Sequence, residues 1–567
     1  MHASRLLHLP VPSHRQSPGP GLDGVSKGLW AITAMNLARM RRLWIAGLAL
    51  AMLAGCSSLP RDVERPVSHA LSQPQQTKLG QWVQERRPAT ARSRDSGFQL
   101  LGSPETAFAS RIALIEAAQK TLDIQYYAIH ADATTDELAT ALVAAAARGV
   151  RVRILLDDLN TAGSNAQVLK LALVPRIEVR LFNPLPGSRQ SQMLRLLDAL
   201  HDFERIQRRM HNKIFVADNS VAITGGRNLG ETYFGRGTGS NFVDIDVLAA
   251  GPVVGDLSRS FDAYWNNPLS YPVQSLKTRE ELQALGQGTA PQPALLSALG
   301  SGQDDTPDPD TPPADTPAER KVVAEVARSL DLRQLKLTWA PALMMVDTPD
   351  KLDPEHDTSQ EPTTVEGLMG LMGRAQGDLL IVSPYFVPGE DMMALFERLR
   401  QRGVRIRVLT NSLASNDAPV AHVGYARYRK ALLRMGIELY EMRAEQPTRL
   451  RGLGSSGSQM TSLHAKLVVM DGQVIVVGSM NLDLRSHLQN TEVALLIRSR
   501  QLAAQATATI EPTLSSGAYR LTLDDNRIHW QAPPGVTPPE GWGEPDASAP
   551  LQLLLKIIGP LAPDELL

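Results

Sequence analysis

The sequence contains almost no cysteine, since Cys56 is the single one among its 567 residues. One thiol excludes an internal disulfide and any cysteine-rich metal site. The sequence also lacks an excess of charge of either sign, because 58 lysines and arginines face 59 aspartates and glutamates, for a formal net charge of -1. A dedicated nucleic-acid-binding protein usually shows a basic excess, so nucleic acid is not expected as a partner.

The apolar run near the N-terminus, Leu43–Leu53, is too short to span a bilayer comfortably. It follows Arg41 and Arg42 and leads to Leu-Ala-Gly-Cys, an arrangement typical of a secretory signal. The tetrad resembles the cleavage box of bacterial lipoproteins, in which the cysteine is lipidated. A short transmembrane anchor with an incidental cysteine is the alternative. We expect residues 1–56 to be a leader and lipoprotein signal, and Cys56 to anchor the protein in the bacterial cell envelope, facing the periplasm.

A repeat divides the rest of the sequence into two halves. RGVRVRILLDD, from Arg148, recurs as RGVRIRVLTNS from Arg402, and HNKIFVADNSVAITGGRN, from His211, recurs as HAKLVVMDGQVIVVGSMN from His464. Each RGV segment follows a helical pattern and predicts a tight turn that enters a buried strand. Strands that alternate with helices indicate an α/β fold, here two similar halves, each a mixed β-sheet flanked by helices.

The repeat and the local composition set the predicted domain boundaries. Residues 286–325 are rich in proline and aspartate, which prevents a packed core and marks a linker. The predicted segments are a polar tether at 57–97 with one short helix, an N-terminal half at 98–285, the linker, a C-terminal half at 326–515 and a C-terminal extension at 516–567.

The second repeated segment combines the side chains of a phosphate site. Its residues are His211, Lys213, Asp218, Gly226 and Asn228 in one half, and His464, Lys466, Asp471, Ser479 and Asn481 in the other. In a strand, residues i and i+2 lie on one face, so each histidine projects beside its lysine. A hairpin turn at the aspartate returns the chain and brings the asparagine back beside them. Lysine and asparagine can hold phosphoryl oxygens while an imidazole reacts.

Two alternative interpretations of this segment, neither of which involves phosphate, explain its pattern less well. Two strand ends with incidental histidines would not be expected to repeat the lysine, the aspartate and the asparagine at matched spacing. A histidine metal site would need further ligands, and the sequence places few histidine or cysteine partners nearby. We therefore expect a site without a metal or a cofactor.

The doubled motif resembles the phospholipase D superfamily, whose members join two such halves, related by a pseudo-two-fold, around one shared active site. The segments that narrow the resemblance to the bacterial cardiolipin synthases are SPYFVPGEDM from Ser383, RGVRIRVLTNSLASND from Arg402, HVGYARYRKALLRMGIELYE from His422 and NLDLRS from Asn481. The lipoprotein-like start, without two long transmembrane helices, is more similar to the C-type synthases than to the A-type.

The resemblance implies a phosphatidyltransferase that moves a phosphatidyl group from one phospholipid to the glycerol hydroxyl of phosphatidylglycerol. His211 would attack the phosphodiester to give a phosphatidyl-histidine, and His464 would protonate the departing alcohol and later deprotonate the incoming one. The implied phosphate-binding residues are Lys213, Lys466, Asn228, Asn481, Ser479 and Gly226. The expected substrates are phosphatidylglycerol and, as a second donor, phosphatidylethanolamine, both met at a membrane surface.

An acidic residue is expected to accept a hydrogen bond from the other nitrogen of each histidine and to fix its tautomer. Glu492 follows the second motif in NTEVALLIRS, and aligning GPVV with SRQL puts Asp244 opposite it. A solvated surface position is the alternative for both. Asp218 and Asp471 are grouped with the catalytic motifs, although we expect them to brace their turns rather than to touch substrate.

Four aromatic residues near predicted strand ends, Tyr126, Tyr127, Tyr385 and Phe386, are candidates to line the mouth of a lipid slot, with burial in the core as the alternative.

The sequence is also compatible with two alternative functions. A phosphodiesterase of the same superfamily would pass the phosphatidyl group to water, or would cut nucleic acid if a basic track were present. A non-catalytic lipid-binding envelope protein would not require intact motifs in both halves.

Overall fold

The structure, a computed structural model, describes residues 59–187, 189, 202–237, 240–285, 330–353, 361–446, 460–536, 540–541 and 543–558. These residues belong to one unit, Leu59–Leu567. The predicted leader with Cys56 and the linker predicted at 286–325 lie outside the described residues.

The described strands form one long mixed sheet and a separate two-stranded ribbon. Those of the first half are β1 (Asp95–Leu101), β2 (Thr121–Tyr126), β3 (Arg151–Asp157), β4 (Ile177–Phe182), β5 (Ile214–Ala217), β6 (Val221–Gly225), β7 (Ser240–Val243), β8 (Asp246–Ala250) and β9 (Ser270–Pro272). Those of the second half are β10 (Thr338–Val346), β11 (Asp378–Val382), β12 (Arg405–Asn411), β13 (Glu438–Met442), β14 (Met460–Leu463), β15 (Leu467–Met470), β16 (Val474–Gly478), β17 (Val493–Arg498), β18 (Ala518–Asp524), β19 (Arg527–Gln531) and β20 (Glu540–Gly541).

Backbone pairing orders the strands of the sheet as 9-4-3-2-5-6-8-1 in the first half and 10-17-16-15-11-12-13-18-19-20 in the second. Strands β2, β3 and β4 run parallel, as do β11, β12 and β13, and the other neighbours are antiparallel. Strand β1 pairs with β10, with Phe98 opposite Thr338, so the two halves share one continuous sheet. The predicted pair of similar mixed α/β halves is confirmed.

Helices cover the faces of this sheet. They are α1 (Lys78–Arg86), α2 (Pro104–Ala117), α3 (Ala133–Ala147), α4 (Phe203–Gln207), α5 (Pro252–Trp265), α6 (Val273–Leu276), α7 (Arg279–Ala284), α8 (Thr364–Met372), α9 (Gly389–Gln401), α10 (Pro419–Arg434), α11 (Leu484–Leu488), α12 (Arg500–Ser516) and α13 (Ala549–Ile558). Short 3-10 helices span Pro74–Gln76, Gly163–Leu173, Glu231–Phe234, Leu332–Gln334 and Pro349–Leu352. Within the described ranges, no helix has both the length and the apolar character needed to cross a membrane.

The repeated RGV segments end one helix and begin one strand in each half, as predicted. Asp132 caps the start of α3 by accepting from the Thr135 N–H at 2.9 Å. Gly149 ends that helix at φ 96°, and Gly403 ends α9 at φ 82°. A Cβ at either glycine would meet no atom within 4 Å, so the left-handed backbone conformation, rather than a lack of space, favours glycine there.

The hydrophobic core has a part in each half and a central part that both halves build. In the central part, Val216 of β5 and Leu257 of α5 belong to the same buried cluster as Val469 of β15 and Leu502 of α12. Burying a side chain of this size stabilises the fold by roughly 1.5–3 kcal/mol. Separating the halves would expose this cluster, so the core holds them in one fixed relation.

The segment predicted as a polar tether contains the expected short helix, α1, but residues 59–97 pack against the first half instead of hanging free. Arg153 Nη1 donates to the Ser68 carbonyl oxygen at 2.9 Å, and Leu79 and Trp82 of α1 lie in the core. Strand β1 then begins at Asp95, inside the segment assigned to the tether. The polar composition was misleading because the segment is held mainly through hydrogen bonds, with only a few apolar anchors.

The predicted C-terminal boundary at residue 515 is also wrong. Strand β18 follows it and pairs with β13, with Leu521 opposite Leu439, and β19 and β20 extend the same sheet. Trp530 of β19 lies in the core of the second half. The internal repeat could not reveal these strands, because the first half has the short β9 at the corresponding edge of its sheet.

Candidate active site

Each repeated His-x-Lys segment lies at the start of a β-hairpin. Strands β5 and β6 pair around a turn in which Asp218 and Asn219 have φ 50° and 47°. Strands β15 and β16 pair in the same way around Asp471 and Gly472, with φ 53° and 59°. Aspartate, asparagine and glycine tolerate this left-handed conformation best, which is why the sequence predicts the turns. The hairpins return each asparagine to the end of the sheet where the histidine lies.

The backbone of each histidine is bonded to the opposite half. The His211 N–H donates to the Thr491 carbonyl oxygen at 3.0 Å, and the His464 N–H donates to the Val243 carbonyl oxygen at 2.8 Å. Strands β7 and β14, one from each half, run parallel as a ribbon that leads to His464. Thr491 and Val243 immediately precede the two acidic residues that were predicted to orient the histidines.

Those acidic residues are exchanged between the halves. Glu492, of the second half, holds Nδ1 of His211 with both carboxylate oxygens at 3.0 Å. Asp244, of the first half, holds Nδ1 of His464 at 2.7 Å. Both carboxylates are fully buried, so neither occupies the solvated surface position that was the alternative. The contacts leave Nε2 of each imidazole as the nitrogen that can react.

The two lysines lie beside their histidines. Lys213 Nζ donates to the His211 carbonyl oxygen at 2.7 Å, and Lys466 Nζ donates to the His464 carbonyl oxygen at 2.6 Å. An ammonium carries three donors, so each lysine keeps donors for an anion. Burial lowers the pKa of Lys213 to about 7 and that of Lys466 to about 8. A bound phosphate would favour the charged forms again.

The site disfavours charge on its imidazoles and carboxylates when no substrate is bound. Burial, followed by the charge of Lys213 or Lys466, lowers the pKa of both histidines well below its usual value. Burial also raises the pKa of Asp244 to about 6 and that of Glu492 to about 7. Such opposed shifts in one cluster are typical of acid–base sites.

Gly226 and Ser479, predicted to bind phosphate, both contact the orienting acids, and the phosphate role of the Gly226 backbone stays a prediction. A Cβ on Gly226 would lie 2.4 Å from Asp244 Oδ1, so the absence of a side chain makes room for that carboxylate. The Ser479 hydroxyl donates to Glu492 and accepts from the Val493 N–H at 3.0 Å. The hydroxyl assigned to phosphate is therefore used to hold Glu492, and this assignment is corrected.

Asn228 and Asn481 have different surroundings. Asn228 Nδ2 donates to the Tyr233 hydroxyl at 3.0 Å, and its Oδ1 accepts from the Ala128 N–H at 3.3 Å. Asn481 Oδ1 is buried and has no hydrogen-bond partner among the described residues. Of the two predicted phosphate ligands, Asn481 therefore has the side-chain amide with fewer hydrogen bonds to the rest of the protein.

Asp218 and Asp471 lie away from the histidines, so their grouping with the catalytic motifs is corrected. The four residues of β5 separate Asp218 from Lys213, a distance of about 17 Å along a strand. Asp218 accepts from three successive backbone N–H groups, of Gln119, Lys120 and Thr121, at 2.7–2.9 Å. Asp471 does the same with the N–H groups of residues 376–378. Asp218 therefore braces the loop that leads into β2, and Asp471 braces the loop that leads into β11.

The four candidate aromatics divide between the core and the site. Tyr127 packs edge-on against His211 at a ring distance of 5.0 Å. Tyr385 donates to Asp417 at 2.7 Å, near the second histidine. Tyr126 instead contacts Arg111 in the interior, and Phe386 is fully buried in the second-half core, so these two are not at the mouth.

Sequence reasoning missed several residues of the site. Tyr233 and Phe242 pack on the His464 ring at 5.2 and 5.0 Å. Ser486 donates to Glu492 Oε1 at 2.8 Å, and its place in the quoted segment NLDLRS was the one available signal. Tyr233 and Phe242 lie outside every repeated segment. In the described part of the chain, no three His, Cys, Asp or Glu side chains gather where they could hold a metal ion.

The chain was compared with family models, with curated proteins and with solved structures. The family described as "Cardiolipin synthase, PLD-like domain" matches the chain twice, at residues 112–265 and 368–513. Cardiolipin synthase C of Escherichia coli (strain K12) is 39% identical over 435 residues, covering 75% of this chain and 86% of that protein. Cardiolipin synthase A of Pseudomonas entomophila (strain L48) is 26% identical over 436 residues, covering 76% of this chain and 70% of that protein. A crystal structure of phosphatidylserine synthase from Haemophilus influenzae Rd KW20 aligns with 86% of this chain and 98% of its own, at a TM-score of 0.49 and 13% identity.

Proposed function

The chain belongs to the cardiolipin synthase family of the phospholipase D superfamily, and we propose that it makes cardiolipin through a phosphatidyl-histidine intermediate. Membership makes it a phosphatidyltransferase that acts on phospholipids. The proposal adds the acceptor, which is the glycerol headgroup of phosphatidylglycerol. It also adds the donors, which are phosphatidylglycerol and phosphatidylethanolamine.

The crossed pairs of histidine and carboxylate carry this proposal. Each half supplies one imidazole and the carboxylate that holds the imidazole of the other half, at 2.7–3.0 Å. The charge of His211 contributes to the lowered pKa of His464, as expected for two imidazoles in one site. A transfer in two steps needs one nitrogen as nucleophile and one to carry the proton of the alcohol. Two Nε2 atoms in one site meet that need.

The surrounding charges support His211 as the nucleophile and His464 as the acid. Lys213, Lys466 and Arg485 all act to keep His211 uncharged. His464 has Asp417 as an additional neighbour, which favours its protonated form. A nucleophilic imidazole must be neutral and an acid must carry a proton, so Asp417 near His464 and Arg485 near His211 favour this division of roles. The lysines then neutralise the charge that develops on the phosphoryl oxygens.

A labelled donor tests the proposal. Purified protein in vesicles of phosphatidylglycerol, with or without phosphatidylethanolamine, is expected to form cardiolipin. A phosphatidyl ester of p-nitrophenol needs little proton donation to its leaving group, so His464→Ala should still form the phosphatidyl-enzyme from it. His211→Ala should form none. His529→Gln, in β19 between β18 and β20, is the matched control.

Other outcomes would change the assignment. Phosphatidate as the sole product would identify a hydrolase of the same superfamily. A phosphatidyl-enzyme in His211→Ala but not in His464→Ala would reverse the two roles. Turnover by a variant that lacks both histidines would contradict the mechanism.

The envelope location is proposed on the sequence alone. The lipoprotein-like segment that ends at Cys56 would tether the enzyme beside its lipid substrates. Cells fed a radiolabelled fatty acid should label the protein, and Cys56→Ser should abolish the label and release the protein from membranes. Continued membrane retention of an unlabelled Cys56→Ser variant would favour a transmembrane anchor.

A further inference from the structure

One carboxylate at the site is not accounted for by the crossed pairs. Asp417 lies in the loop between β12 and α10 and is exposed, unlike Asp244 and Glu492. The Tyr385 hydroxyl donates to its Oδ2 at 2.7 Å, and the Ser462 hydroxyl donates to its Oδ1 at 3.4 Å. Two groups from different parts of the second half therefore fix its orientation.

Asp417 lies on the side of the site that holds His464. Ser462 lies in β14, two residues before His464 in the chain. The hydrogen bond from Ser462 therefore holds the carboxylate next to the segment that carries the imidazole. Its negative charge acts on His464 and on Lys466, which it could not do from a distant surface position.

The carboxylate has capacity for a ligand. A carboxylate can accept about four hydrogen bonds, and the described contacts use two. Burial and the nearby Asp417 raise the pKa of Tyr385 well above its usual value, so its hydroxyl stays protonated and keeps donating. The open positions of an exposed anion favour a ligand that presents hydroxyl hydrogens, and they repel a second phosphate.

We propose that Asp417, held by Tyr385 and Ser462, binds the second hydroxyl of a vicinal diol, so that the neighbouring hydroxyl of the acceptor meets His464. The inference rests on the proposed function and deepens it, because the glycerol headgroup of phosphatidylglycerol ends in such a diol. Asp417 is a specificity-determining residue in this scheme. The lysines bind phosphate, and the carboxylate binds the alcohol end.

The transfer step balances with these residues. His464 takes the proton of the primary hydroxyl as its oxygen bonds to phosphorus. The bond between phosphorus and Nε2 of His211 breaks, and its electron pair returns to that nitrogen. The adjacent hydroxyl keeps its proton and donates it to Asp417 throughout, which limits the orientations of the attacking oxygen.

The test measures how one intermediate divides between acceptors. The phosphatidyl ester of p-nitrophenol forms the phosphatidyl-enzyme, and nitrophenol release reports that first step by itself. Glycerol, 1-propanol and water then compete for the intermediate, and the ratio of their products reports the second step. Wild type is expected to prefer glycerol to 1-propanol, which lacks the neighbouring hydroxyl.

Asp417→Asn removes the charge with little change in shape. Because hydrogen bonds to charged groups are the stronger ones, the ratio of glycerol product to water product should fall roughly tenfold. The ratio of propanol product to water product should change little, and so should nitrophenol release. Tyr385→Phe should lower the glycerol ratio less. Asp524→Asn, on β18 at the opposite end of the sheet, is the matched control and should match wild type.

The failures are distinguishable. An unchanged glycerol ratio in Asp417→Asn, with normal nitrophenol release, would overturn the role of Asp417 and leave the proposed function standing. Equal losses in the absolute rates of product formation with glycerol, propanol and water would assign Asp417 to His464 itself rather than to the diol. A wild type that forms no phosphatidyl-enzyme would overturn the proposed function and this inference with it.

Discussion

The two halves of the molecule repeat one plan but hold their acidic residues differently. In the first half, Asp244 lies directly over Gly226, and any Cβ there would be 2.4 Å from its carboxylate. In the second half, Glu492 takes the corresponding place and accepts from the hydroxyls of Ser479 and Ser486. Glutamate is one methylene longer, so its carboxylate reaches further out and leaves room for the serine.

This difference shows that the repeat preserves the position of the carboxylate in each half and changes how that position is reached. A short acid goes with a glycine, and a long acid goes with a serine. The charges around the two imidazoles differ as well. Both lysines act on both imidazoles, but Asp417 acts on His464 and Arg485 acts on His211. A duplicated motif thereby supplies two unlike imidazoles, as a two-step transfer requires.

Replacing each acid by its amide should have the largest effect and test whether the halves differ in role. Glu492→Gln and Asp244→Asn should each lower kcat by about a hundredfold to ten-thousandfold, because the imidazole loses the charge that fixes its tautomer. With the p-nitrophenol ester, Glu492→Gln should slow the first step strongly and Asp244→Asn only weakly. Stopped-flow detection of nitrophenol measures this. Equal slowing by both variants would contradict the division of labour.

Exchanging the small residues should break the pairing of each acid with its neighbour. Gly226→Ser forces Asp244 to move, so it should destabilise the fold by about 1–3 kcal/mol and misplace His464. Ser479→Gly removes one hydrogen bond and should cost only about 1 kcal/mol. Thermal unfolding and kcat measure both. A Gly226→Ser variant as stable and active as wild type would show that the tight contact is unimportant.

Replacing either bracing aspartate should lower the stability of the fold rather than the catalytic rate, and the two replacements should differ in size. Asp218 is fully buried, so Asp218→Ala leaves three backbone N–H groups without their acceptor and should cost about 1–3 kcal/mol. Asp471 is partly exposed, and water can replace it, so Asp471→Ala should cost less. Thermal unfolding midpoints rank the two, and activity per folded molecule should stay near that of wild type. A selective loss of kcat would restore a catalytic role.

The smallest expected effect is a dependence of stability on pH. The pKa of Glu492 is raised to about 7, so the folded state binds this proton more tightly than the unfolded chain. The resulting stability is present below the ordinary carboxyl pKa and is lost as pH rises through about 7. Glu492→Gln lacks this loss, and its Tm relative to wild type should rise by a few degrees between pH 5 and pH 8. Asp524→Asn should show no such trend.

Much of the fold was predictable because local patterns repeat. The RGV turns, the buried strands after them and the hairpins at Asp218 and Asp471 each depend on a few adjacent residues, and all were predicted in place. The first and last described segments were not, since Leu79 and Trp82 of α1 and Trp530 of β19 pack without any repeated pattern. Tyr233 and Asp417 were missed for the same reason, because their relation to His464 exists only in three dimensions.

The sequence by itself determined that two matched His-x-Lys hairpins exist and which acidic residue follows each. Hydrophobic periodicity and turn preferences involve only a few neighbouring residues, so they can be recognised in a single sequence. The tertiary structure alone decided that Glu492 serves His211 and that Asp244 serves His464. That exchange depends on β1 pairing with β10 and on a core built by both halves. These contacts join residues that are far apart in the chain, and no local pattern encodes them.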